Sequence, residues 1–99
     1  MFVLALKSAE FDEDDKPFCL KFFANGVHPS GCPGIYVTVF KKNDGNYRCS
    51  GVSEIVKRLE PDLKDCAIKK ASALFKESRE EIEREIKQDE GLDTMSLAI

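Results

Sequence analysis

Apolar and polar positions alternate along the first half of the chain and change to a three-to-four-residue rhythm in the second. Phe2, Leu4 and Leu6 alternate with Val3, Ala5 and Lys7. After an acidic run and Pro17, Phe18, Leu20 and Phe22 alternate with Cys19, Lys21 and Phe23. Ile35, Val37 and Val39 then alternate with Tyr36, Thr38 and Phe40, a run rich in β-branched and aromatic residues. A period of two sends successive side chains to opposite faces of a strand, so three strands are expected. Asp44-Gly45 follows, between two strand-like runs, and glycine accepts the positive φ that a hairpin turn requires. A return strand over 46–50 completes a twisted antiparallel sheet of three to four strands. Its second face, Val3, Ala5, Cys19, Phe23, Tyr36 and Phe40, is also apolar. One layer of helix covers only one face, so a second surface is left to find a cover.

Helical signals begin at Ser53, an N-cap residue followed by Glu54 and by Ile55, Val56 and Leu59, read as one face of a short helix. Pro61 disfavours helical geometry at Glu60 and suits the first position of a new helix, with Asp62 and Asp65 against its N-terminal dipole. No Gly or Pro then occurs before Gly91, 29 residues after Asp62. Gly91 suits a helix stop, with Leu92 folding back on Ile86. A continuous helix of that span would be about 44 Å long, against about 33 Å for a sphere of this chain length, so part of it is expected to project or to meet a partner. Leu63, Cys66, Ala67, Ala71, Leu74 and Phe75 give its first half a broad apolar face. Its second half offers only Ile82 and Ile86, and Arg79 and Asp89 break any heptad. The expected fold is therefore α+β: the antiparallel sheet packed with a short helix and a long C-terminal helix. Residues 1–75 form the body, 76–90 a charged extension of the helix and 91–99 a tail.

Ninety-nine residues with 42% apolar and 33% charged composition suit one small domain and leave no room for separate cofactor and catalytic domains. No apolar run approaches the ~18 residues of a membrane span. The net charge of −3 conceals segregation. Residues 10–15 hold five carboxylates, residues 16–75 have 10 basic against 5 acidic side chains, and residues 76–99 have 4 basic against 8 acidic. Asp12, Glu13, Asp14 and Asp15 in the first acidic segment, with Glu80 and Glu83 in the last, are candidates for docking on a basic partner. The alternative for both segments is a solvated turn and a solvated helix face.

The apolar stretch before Lys7 lacks the basic flank of a signal peptide, so a reducing intracellular, cytoplasmic setting is expected for the four cysteines. Their spacing contains no C-x-x-C pair. In the Gly- and Pro-rich loop 25–34, His28 and Cys32 could form a thiol–imidazole pair or half of a zinc site. No orienting carboxylate and no second close ligand pair accompany them, and an inter-strand connection is the simpler reading. The spacing of a calcium-binding loop is missing at 12–15. Lys21, Lys41, Lys42 and Arg48 lie among Phe23, Tyr36, Phe40 and Tyr47, the composition of a nucleic-acid stacking platform, yet the RNA-recognition signature is absent. The tail ends in Leu97 and Ile99, which suit either strand addition to a partner or packing on the chain's own body.

No catalytic residues, metal or cofactor are assigned. The reading adopted is a non-enzymatic interaction or regulatory protein, self-associating and binding another protein through its long helix and acidic segments. Phe23, Tyr36 and Phe40 on the sheet, and Phe75, Ile82 and Ile86 on the long helix, are its expected interface residues. A nucleic-acid-binding module is the first alternative, and a cysteine enzyme or zinc protein at His28 and Cys32 the second.

Overall fold

A computed structural model describes residues 2–26 and 34–95. Four strands, β1 (Val3–Phe11), β2 (Pro17–Asn25), β3 (Gly34–Lys41) and β4 (Tyr47–Ser50), form one antiparallel sheet in the order β1-β2-β3-β4. Three helices follow: α1 (Glu54–Leu59), α2 (Leu63–Leu74) and α3 (Arg79–Met95). The α+β architecture is as expected. His28 and Cys32 lie outside the described residues, as do Leu97 and Ile99.

Strand alternation sorts the sheet into two faces. Leu6 pairs with Phe22 and Phe22 with Val37; Ala9 pairs with Leu20 and Leu20 with Val39. These side chains meet Val56, Leu63, Ala67, Ala71, Leu74, Phe75 and Ile82 in one core, so the helices all pack on this face. β1 contains a bulge between Leu6 and Ser8 that inserts Lys7 and carries the strand on to Phe11, further than the alternation up to Lys7 indicated. The turn at Asp44-Gly45 forms as expected. Gly45 has φ +87°, and the Asp44 carboxylate accepts from the Asn46 backbone N–H at 3.0 Å, which holds its pKa below the ordinary value.

α1 is capped by Ser53, whose Oγ accepts from the Val56 N–H at 3.3 Å. Only Val56 enters the core, while Ile55 and Leu59 are exposed. A six-residue helix touching the body on one side buries one position, not the three expected. Pro61 lies in the turn ahead of α2, and Asp62 takes the N-cap position.

The long helix is corrected to two. After Leu74 the chain tightens, with Lys76 N–H bonding to Ala73 O at 3.2 Å and Glu77 N–H to Leu74 O at 3.0 Å. A capping box then starts α3. Ser78 N–H donates to Glu81 Oε1 at 3.2 Å, and Glu81 N–H to Ser78 Oγ at 3.3 Å. That hydrogen bonding holds the Glu81 carboxyl below the ordinary range. Glu77 is pushed the other way by desolvation and by the charges of Glu81 and Glu85.

Because the chain turns here, α3 runs back along β1 and does not project. Ile82 is fully buried, Ile86 packs against the core and Asp89 is buried, so residues 76–90 are part of the folded body and not an extension of it. Nor does α3 stop at Gly91, as the turn-back onto Ile86 required; it continues to Met95.

Candidate interaction surface

Among the described residues, no helix packs on the sheet's other face. Its rows follow from the register: Ala5, Phe23 and Tyr36; then Ser8, Lys21, Thr38 and Ser50; then Glu10, Cys19, Phe40 and Arg48. Directly paired residues point to the same side of a sheet, so these side chains share one surface. Tyr36 is 52% exposed, and Phe23 and Phe40 are half-buried. Phe23 meets Tyr36 edge to face with centroids 5.1 Å apart, and Lys21 Nζ stands 4.6 Å from the Tyr36 centroid. The aromatic pair is therefore a preformed, rigid patch with a cation resting on it. Gly34 sits at its border. A side chain there would overlap the Ala24 carbonyl oxygen and crowd the Phe23 ring, so the close approach of β3 to β2 depends on the missing Cβ.

Beside the patch, Ser8, Glu10, Cys19, Lys21, Thr38 and Phe40 line a shallow depression of about 340 Å³. Its thiol is not primed for chemistry. Burial, followed by the Glu10 charge, pushes the Cys19 pKa up to about 11, which disfavours the nucleophilic thiolate near neutral pH. Cys49 is raised by burial as well, and Cys19, Cys49 and Cys66 are all free thiols. Among the described residues, no group of three or more His, Cys, Asp or Glu side chains is placed to hold a metal ion.

Of the expected interface residues, the structure brings Phe23, Tyr36 and Phe40 together on the open face. Phe75, Ile82 and Ile86 are not there, and this is a correction. Phe75 stacks on Tyr47 at 5.5 Å inside the protein's own core, which Ile82 and Ile86 also join from α3. The expectation failed because a helix that folds back spends its apolar stripe on its own sheet.

The acidic candidates are solvated. Asp12 caps its own turn, accepting from Asp14 N–H at 2.9 Å and Lys16 N–H at 3.0 Å, and Glu13 is exposed beside it. Arg79 joins this turn to α3, donating to Asp15 at 2.8 Å and to Glu83 at 2.9 Å with its guanidinium 4.6 Å from the Phe11 centroid. Glu80 lies exposed on α3. A cleft of about 800 Å³ between turn and helix corner includes Asp14, Lys16, Lys76, Arg79 and Glu81, charges of both signs, and Ser78, whose hydroxyl donates to the Glu81 carboxylate at 2.9 Å as part of the helix cap.

The sequence reading missed a polar clasp at the far end of α3. Asp89 Oδ2 accepts from the Leu6 backbone N–H at 2.8 Å, and Lys70 Nζ donates to the Leu4 carbonyl at 2.7 Å and lies 3.3 Å from the same carboxylate. Its signal was present in the spacing Ile82, Ile86, Asp89, which puts a carboxylate in line with the apolar stripe.

No helix among the described residues is long and apolar enough to cross a membrane. No known protein family, no curated protein and no solved structure matches this chain.

Proposed function

We propose that this protein is a non-enzymatic interaction module, intracellular and cytoplasmic, that engages another protein through the open face of its sheet. One observation carries the reading: all three helices pack on the same face, leaving Tyr36 half exposed beside Phe23 and Phe40 with nothing of the chain's described residues over them. Aromatic residues in a rigid patch lose little conformational freedom on binding and are enriched at the centres of protein interfaces. The raised thiol of Cys19 and the pairing of Arg79 with Asp15 and Glu83 support a binding role over a catalytic one. Nucleic acid is the less favoured ligand, because Lys21 already stands over one face of the Tyr36 ring and Phe23 packs on it edge to face, so a stacking base would compete with both contacts.

The test is a photo-crosslinking amino acid placed at Tyr36 and, as control, at Arg84 on the exposed side of α3. Light-dependent protein adducts at 36 and not at 84 are expected. Adducts to nucleic acid, or none at 36, would remove the reading.

A further inference from the structure

We infer that the occupant of the open face is a second copy of this chain, packed sheet against sheet about a two-fold axis parallel to the strands. The inference rests on the interaction reading above and adds the partner and its geometry.

The register supplies the reason. Glu10 on edge strand β1 and Arg48 on edge strand β4 end the same row, separated by Cys19 and Phe40. Both are exposed. Rotation by 180° about an axis running along the strands between β2 and β3 exchanges the edges while keeping each row level. Glu10 then faces the partner's Arg48, and Arg48 faces the partner's Glu10, two equivalent pairs from one operation. The same rotation lays Phe23 against the partner's Tyr36. Lys21 comes to face the partner's Thr38, an acceptor without charge.

The alternative two-fold, perpendicular to the strands, would invert the rows. It sets Glu10 against the partner's Val3, from the opposite end of β1, and leaves a carboxylate over an apolar side chain. Charge complementarity thus selects one of the two ways a sheet can pack on its own copy.

The dimensions are adequate. Face-packed sheets lie about 10 Å apart, a gap that glutamate and arginine side chains together span. Strands of 9, 9, 8 and 4 residues, at about 3.3 Å per residue and about 4.8 Å apart, present roughly 480 Å² per copy, or about 960 Å² in the pair. That is the lower end for a specific interface, so a dimer forming at micromolar or higher concentration is expected.

The experiment is sedimentation equilibrium of the full chain from about 5 to 500 μM, for wild type, Glu10→Arg, Arg48→Glu, their 1:1 mixture, and the double variant. Each single reversal sets like charges against each other at both pairs and is expected to weaken the dimer at least tenfold. In the mixture, the Glu10→Arg chain carries arginine at both positions and the Arg48→Glu chain carries glutamate at both. Opposite charges then meet at each pair, so a heterodimer should re-form, and the double variant should dimerise like wild type. Circular dichroism of each variant establishes that it is folded. A wild-type chain monomeric at 500 μM, or a dimer indifferent to both reversals, overturns the inference. In either case crosslinking at Tyr36 to a different protein would leave the interaction reading standing, whereas absence of adducts would remove both.

Discussion

The carboxylate of Asp89 accepts the backbone N–H of Leu6 at 2.8 Å, joining the last helix to the first strand across 83 positions of the chain. β1 is an edge strand, so Leu6 N–H and Leu4 C=O have no neighbouring strand to bond. Asp89 supplies the acceptor and Lys70 the donor that such a neighbour would have offered. Two side chains from α2 and α3 thereby close an edge that would otherwise invite pairing with another chain.

Replacing Asp89 by alanine leaves a buried N–H and a partly buried ammonium without their acceptor. A loss of about 2–3 kcal/mol is expected from urea unfolding, with faster hydrogen exchange at the Leu6 amide. Asp89→Asn, which keeps a carbonyl oxygen, should lose less. A change below about 0.5 kcal/mol for the alanine variant would show the clasp to be ornamental.

Ile82 is fully buried and Ile86 only partly, so truncating each to alanine measures how firmly α3 belongs to the core. Ile82→Ala should lower stability by about 2–4 kcal/mol and Ile86→Ala by less. Were the segment from 76 onward a solvated extension, neither would move the thermal midpoint.

Gly45 and Gly51 both have positive φ, +87° and +96°, yet they differ in surroundings. A Cβ on Gly45 meets open space, whereas one on Gly51 overlaps the Tyr36 carbonyl oxygen. Gly45→Ala should therefore cost about 1–2 kcal/mol from the left-handed backbone alone. Gly51→Ala adds a clash with the backbone of β3 and should cost more. Equal losses at the two positions would argue against the close approach.

The Cys19 thiol gives stability a pH dependence whose direction follows from its pKa of about 11, set mainly by burial. An unfolded thiol ionises near its ordinary value of 9.0, while the folded one keeps its proton. Its contribution is full below pH 9 and is lost as pH rises from 9 to 11. Cys19→Ala should flatten the decline in urea midpoint over that window. Thiol labelling at pH 8 should reach exposed Cys66 before Cys19; the reverse order would contradict the burial.

The α+β class, the strand alternation and the Asp44-Gly45 turn were legible because each depends on local periodicity or on one residue's backbone preference. The second apolar sheet face was legible for the same reason, and Phe23, Tyr36 and Phe40 do share one surface. The helix break after Leu74 also had a local signal, the Ser78–Glu81 capping box, but the absence of Gly and Pro outweighed it in the reading of one long rod.

Sequence alone determined which residues could lie on each face of each element, since side-chain direction follows the strand and helix periods. Tertiary structure decided which faces were consumed. Once the chain turned at Ser78, Ile82 and Ile86 went to the protein's own core, and Asp89, which disqualified a heptad, became the acceptor for β1. That outcome depends on contacts between residues more than 60 positions apart, and a local pattern that marks where a helix breaks does not say which surface the next helix will cover. Tertiary packing also left Phe23, Tyr36 and Phe40 with no helix of the described residues over them, because α1, α2 and α3 took the same side of the sheet.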